Sequence, residues 1–157
     1  RTALLRGLHQ DALQSVYDER VKLSPGAERM LQQAKISGLK TMVISGGFTF
    51  FTDRIKAKLG LDYAVANVLE IENNLLTGKV VGEIIGREGK AQVLKQVRDE
   101  LGLRSEQIIA IGDGANDLSM MAEAGISIAY HAKSIVKDYA TYSISHVGLD
   151  GIINLFK

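Results

Sequence analysis

A chain of 157 residues, 46% hydrophobic and 24% charged, is long enough for one domain with a sizeable core and has an ordinary globular composition. Its 19 basic and 18 acidic residues leave a net charge of +1, which gives no electrostatic footprint for nucleic acid or an anionic membrane surface. Because there is no cysteine, disulfides, thiolate catalysis and Cys-ligated zinc or iron–sulfur centres are excluded. No apolar run approaches the roughly 20 residues of a membrane span, and no secretory signal pattern opens the chain. A cytoplasmic location with no membrane partner is therefore expected. The first residue is Arg1 rather than Met, and the text opens in mid-pattern. The expectation is a fragment, a processed chain or a sequence with upstream residues left off.

Residues up to about Arg20 read as helical, with Leu8, Ala12, Leu13 and Val16 on one face. Leu23-Ser24-Pro25-Gly26 punctuates: Ser24 suits an N-cap and Pro25 a first helical position. A helix carrying Ala27, Met30, Leu31 and Ala34 on one face follows and ends at Gly38. Lys40 to Ile44 is a β-branched apolar run that Ser45-Gly46-Gly47 stops. Phe48, Phe51, Ile55 and Leu59 then mark a helix closing at Gly60. Tyr63 to Ile71 and Leu75 to Val81 are two β-rich runs around Glu72-Asn73-Asn74, a hairpin excursion near 68–81.

The alternation resumes with a helix over Arg87 to Leu101, a strand over Gln107 to Ile111 and a helix over Asn116 to Ala124. A strand at Ile126 to Ala129, a helix at Ser134 to Tyr139, a strand at Tyr142 to Ser145 and a closing helix at Leu149 to Phe156 complete the chain. Alternating strands and helices predict an α/β fold with a doubly wound parallel sheet and helices on both faces. Ligands of such sheets bind outside the carboxyl ends of the strands, so chemistry is expected at the strand-to-helix junctions.

Three junctions carry suitable residues. At Ser45-Gly46-Gly47 a hydroxyl and mobile backbone N–H groups precede a helix start, which suits a phosphate. A helix cap with a tight turn explains the same residues. At Gly112-Asp113-Gly114-Ala115-Asn116-Asp117 two carboxylates follow a buried strand. Asp113 can ligate a hard cation such as Mg²⁺ while Asp117 orients a metal-bound water, and Asn116 can donate to a phosphoryl oxygen. The alternative is a helix start with acidic residues near its dipole. Lys90, early in a helix where a cation is mildly unfavourable, can reach a phosphate or be a solvated surface residue. His9, His131 and His146 share no metal-ligand spacing and are expected at the surface or behind the site. Phe48, Phe50 and Phe51 are expected to pack rather than to stack on a ligand.

Taken in order, the three junctions resemble the haloacid dehalogenase (HAD) superfamily. Ser45 matches its second motif, Lys90 its third and Gly112 to Asp117 its fourth. Within it, the stretches Arg1 to Leu8, Val43 to Phe48, Leu59 to Asn67, Leu76 to Gly78, Ile111 to Asp117 and Ala129 to Lys133 are similar to the phosphatases that act on O-phosphoserine. The resemblance implies a Mg²⁺-dependent phosphomonoester hydrolase with an aspartyl-phosphate intermediate. It implies phosphate contacts at Ser45, Gly46, Lys90 and Asn116, a direct Mg²⁺ ligand at Asp113 and an outer-shell residue at Asp117. It also makes Arg1 a grip on the substrate carboxylate, a role that suits a bidentate guanidinium.

The family's nucleophile motif, Asp-x-Asp-x-Thr after a central strand, has no counterpart, for no Asp-x-Asp occurs in the 157 residues. The resemblance therefore divides the chain into the end of a helical cap at 1–22 and an incomplete α/β core at 23–157, with the central first strand absent. No turnover by the chain alone is expected. The expected partners are the small substrate and either the chain's own upstream segment or a second copy. A phosphatase for another small monoester and a non-catalytic phosphate- and Mg²⁺-binding module stay open at this point.

Overall fold

Hydrophobic periodicity sets most of the element order. A computed structural model describes residues 2–156. The segment begins with a 3-10 turn at Thr2–Leu5 and continues into α1 (Asp11–Arg20) and α2 (Ala27–Ile36). Next come β1 (Met42–Phe48), α3 (Thr49–Leu59), β2 (Tyr63–Glu72) and β3 (Leu75–Val81). The second half holds α4 (Arg87–Glu100), β4 (Ile109–Gly112), α5 (Leu118–Ala122), β5 (Ile126–Tyr130), α6 (Ser134–Tyr139) and β6 (Tyr142–Ile144). A 3-10 helix at Leu149–Phe156 closes it.

The strands form two three-stranded sheets, ordered β1-β2-β3 and β4-β5-β6, rather than one continuous sheet. β1 runs parallel to β2, and β4, β5 and β6 are mutually parallel, as the alternating pattern predicts. β3 is antiparallel to β2 and returns through Asn73 and Asn74, both with positive φ, the backbone of a tight hairpin turn. Among the described residues β1 and β4 are each paired on one side only. Both still pack against one helix: Met42 and Ile44 of β1 and Ala110 of β4 share a core cluster with Leu94 of α4.

The two faces of the second sheet are buried by different elements. Ala129 faces Leu94, Met120, Met121 and Val136 from α4, α5 and α6. Its neighbour Ile128 faces Ile144, Ile152 and Met30, so α2 and the closing 3-10 helix cover the other side. The helices thus lie on both faces. A third cluster joins Leu13 of α1 to Leu69 and Leu76 of the hairpin, with Phe48, Phe50 and Phe51 packed against it. The three phenylalanines therefore pack, as expected. The N-terminal segment is tied to β3 through Gly7 N–H to Leu76 O at 2.8 Å and Leu76 N–H to Leu8 O at 2.7 Å.

Several local expectations are corrected. The opening helix starts only at Asp11, because Gly7 has φ +87° and His9 bridges to Leu75; of the expected face only Leu13 is buried. Ser24 does not cap α2. Its carbonyl accepts from Ala27 N–H at 3.1 Å, and Gly26 at φ 80°, ψ 0° precedes the helix. Pro25-Gly26 is thus a type II turn, which requires positive φ at its third residue. The strand expected at Gln107 begins at Ile109 after a 3-10 turn over Ser105–Gln107. The closing segment is 3-10 rather than α because Leu149, Ile152 and Leu155, spaced by three, all face the core. No helix among the described residues is long and apolar enough to cross a membrane.

Candidate active site

At the end of β1 the register breaks. Ile44 pairs with Val65, and the next pair is Phe48 with Asn67, so Ser45, Gly46 and Gly47 bulge out of the ladder. Such bulges re-aim side chains beside functional sites. Ser45 is therefore not a helix cap, and the helix starts only at Thr49, after Phe48. The Ser45 hydroxyl oxygen accepts the Gly47 N–H at 2.9 Å. That bond fixes the side chain and leaves its O–H to donate outward. Gly46 is exposed beside it.

At the end of β4 the chain passes through Gly112 and Asp113 into a 3-10 turn at Ala115–Asp117. The turn folds Asp117 back under the strand end, where its Oδ2 accepts Asp113 N–H at 3.1 Å and Gly114 N–H at 3.3 Å. Only glycine fits at 112, since a Cβ there would lie 2.6 Å from the Asp117 Cβ. Asp113 and Asn116 are exposed. The Asp113 carboxylate makes no hydrogen bond or ion pair within the described residues, while its carbonyl accepts the Lys133 N–H at 3.3 Å.

Lys90, in the first turn of α4, is only 6% exposed, so the solvated reading of this residue is set aside. Its Nζ lies 2.8 Å from Asp117 Oδ1. This partner explains a cation at the unfavourable end of a helix dipole. Burial pushes the Asp117 carboxyl up, but the Lys90 hydrogen bond, the Asp113 and Gly114 amides and the Lys90 charge together hold it below the ordinary value of 3.8. Asp117 is thus favoured as a carboxylate, with Lys90 as its ion-pair partner.

A chain of contacts joins the three junctions. Asn67, 5% exposed in β2, bonds the Gly46 carbonyl and the main chain of Ile85, two residues before the α4 start. Lys90 then joins α4 to Asp117. On the surface, Arg87 donates to the Ser119 Oγ at 2.8 Å, and Ser119 donates to Glu88 at 2.9 Å, clipping the helix start to α5. Ser45, Gly46, Lys90, Asp113, Asn116 and Asp117 therefore all sit at one connected end of the fold. Arg1 lies outside the described residues. Asn67 escaped the sequence reading except as part of a longer stretch, although a lone amide between Ala66 and Val68 in a strand was its signal.

Two of the histidines support loops. His131, exposed, has φ +44°, donates its N–H to Ile144 O at 2.7 Å, and places Nε2 2.7 Å from the Val147 carbonyl. It holds the loop whose Lys133 amide meets Asp113, a place behind the site as expected. His9 Nδ1 accepts the Asp11 N–H at 3.1 Å, at the start of α1.

The donor set can be weighed against a metal. The described residues contain no group of three His, Cys, Asp or Glu able to hold an ion. Mg²⁺ does not need one: it binds through one or two carboxylates and completes its shell with water and phosphate oxygens. The free, exposed Asp113 carboxylate, backed by an ionised Asp117, fits that demand.

Residues 2–122 match the haloacid dehalogenase-like hydrolase family. The chain is 48% identical over its full length to a phosphoserine phosphatase of Polaromonas sp., of which it spans 68%. It is 45% identical to a phosphoserine phosphatase of Archaeoglobus fulgidus, of which it spans 45%. A solved structure described as a phospho-aspartyl intermediate analogue of phosphoserine phosphatase superimposes with a TM-score of 0.92 at 37% identity, covering 99% of this chain and 74% of that one.

Proposed function

Since this chain belongs to the haloacid dehalogenase-like hydrolase family, we propose that it forms the phosphate- and metal-binding part of a phosphatase that hydrolyses O-phosphoserine to serine and phosphate. The observation that carries this reading is the buried Lys90–Asp117 pair, 2.8 Å long, that backs a free Asp113 carboxylate at the sheet edge. The relatives named above support the substrate. A phosphatase for another small monoester would use the same residues, and the residue proposed to grip a carboxylate is Arg1.

In this reading the Ser45 hydroxyl, the Gly46 amide and the Asn116 side chain donate to the phosphoryl oxygens. Lys90 adds positive charge from the side of α4. Phosphoryl transfer needs little from the protein besides positioning and charge stabilisation of this kind. Asp113 would hold Mg²⁺ directly and Asp117 would orient its shell; when bound, the ion supplies further positive charge to the phosphate. The attacking carboxylate, which forms the aspartyl phosphate, and the acid/base that follows it come from outside these 157 residues, which hold no Asp-x-Asp. We assign their strand to the unpaired edges of β1 and β4. Residues 1–22 form the end of a helical cap over a core at 23–157, and the setting is the cytoplasm.

Phosphate release by the full-length protein tests the reading. With Mg²⁺, O-phosphoserine is expected to be hydrolysed with kcat/KM at least ~100-fold above hexose phosphates, the discrimination a built polar recognition site supplies. Equal rates on sugar phosphates would remove the substrate assignment while keeping the reaction class.

A further inference from the structure

The side chain of Asn67 is spent entirely on main-chain groups of two other segments. Its Nδ2 donates to the Gly46 carbonyl at 2.9 Å and to the Ile85 carbonyl at 3.2 Å, and its Oδ1 accepts the Ile85 N–H at 2.6 Å. The residue is 5% exposed, so these partners replace water, and each buried group left unpaired carries a penalty. The Gly46 carbonyl belongs to the same peptide unit as the Gly47 N–H, which Ser45 Oγ accepts at 2.9 Å. That peptide is therefore held at both ends, by Asn67 and by Ser45. On the other side, Ile85 immediately precedes Gly86, whose carbonyl accepts the Lys90 N–H at 2.9 Å. Both polar groups of Ile85 are fixed by one amide, which sets where the first turn of α4 begins and where Lys90 stands.

We propose that Asn67 is the positioning residue of the phosphate site, a buried clamp that sets the spacing between the Ser45–Gly46 bulge and the Lys90 helix. This rests on reading Ser45, Gly46 and Lys90 as phosphate contacts. Asn67 touches no substrate. It acts by locking two groups of donors that come from segments about 40 residues apart in sequence, and a misplacement near 1 Å can cost on the order of 100-fold in rate. The amide is chemically required: two donors face two carbonyls while one acceptor faces an N–H, a set that aspartate, with no donors when ionised, cannot reproduce.

The test uses the full-length protein with Asn67→Ala, Asn67→Asp, Ser45→Ala and the Asn67→Ala/Ser45→Ala pair. Both Asn67 variants are expected to lower kcat/KM about 100-fold, chiefly in kcat. The double variant is expected to fall little below the worse of its two single variants, because a freed bulge no longer aims Ser45. A fully multiplicative loss, or an Asn67 variant that stays folded and keeps kcat/KM near that of the parent, would overturn the clamp. Amide hydrogen exchange gives a second reading that needs no activity. The Gly47 and Ile85 amides of the parent are expected to open together, and to open faster together in the variants. Independent opening of the two amides in the parent would overturn the clamp even if no variant folds. If the parent hydrolyses no phosphomonoester, the proposed function fails, and the exchange result still decides the clamp.

Discussion

Lys90→Met is expected to remove most activity and a large share of the stability at once. The substitution keeps the aliphatic bulk but strands Asp117, 6% exposed, with only the Asp113 and Gly114 amides as partners. Breaking a buried ion pair from one side costs about 3–5 kcal/mol, because an uncompensated charge stays behind. Loss of one preorganised charge at a phosphoryl site costs on the order of 10²–10³ in kcat. Asp117→Asn placed on top of Lys90→Met removes the stranded charge, so the melting midpoint is expected to recover while activity stays lost. Thermal unfolding and steady-state kinetics on the three proteins separate the two effects. A double variant no more stable than Lys90→Met would contradict the buried-pair account.

The same pair fixes an acid dependence. The folded-state carboxyl of Asp117 lies below its ordinary value of 3.8. Its contribution to stability is therefore fully present above that value and lost as pH falls through the lower, folded one. In Lys90→Met the leading opponent of burial is gone, so the folded-state carboxyl pKa is expected to rise and the acid-side loss to shrink or reverse, because protonation then relieves the stranded charge.

Asp113→Asn is expected to act in the opposite proportion. Asp113 is exposed, and its carboxylate bonds to nothing among the described residues, so stability is expected to stay within about 0.5 kcal/mol, as for ordinary surface changes. The Asp113 N–H and carbonyl keep their bonds to Asp117 and Lys133, which holds the loop in place. Activity is nonetheless expected to fall on the order of 10³-fold or more, since the proposed direct metal ligand loses its charge. Isothermal titration with Mg²⁺ is expected to show weakened binding in the same variant. Unchanged Mg²⁺ affinity with a lowered melting midpoint would make Asp113 a structural residue and not a ligand.

The order of elements was legible because buried strands and amphipathic helices leave different periods in the text. Asn73-Asn74 even announced the hairpin turn, since asparagine tolerates the positive φ seen there. Ser45 was legible as a residue but not as a geometry. A bulge two residues longer than its partner depends on which residue of β2 lies opposite, and local sequence carries no record of that. Lys90 could be read locally either as a phosphate contact or as a solvated surface lysine, for a related reason. Its partner Asp117 lies 27 residues away, and only the packing of α4 against the strand-end turn brings them together. Asn67 was hidden because a single amide in an apolar strand reads as a minor exception until its three main-chain partners are known. The break between the two sheets left no local signal, since each of the six strands reads as a complete strand by itself.

Hydrolysis of O-phosphoserine in the presence of Mg²⁺, by the 157-residue polypeptide alone and by the same polypeptide extended upstream with a segment that carries the family's Asp-x-Asp-x-Thr motif, tests the central claim most directly. The account predicts turnover only in the second sample, with a difference on the order of a million-fold, as expected when a covalent nucleophile is absent. Turnover by a polypeptide verified by mass to contain only these residues would contradict it, because the nucleophile would then have to lie among side chains assigned here to binding.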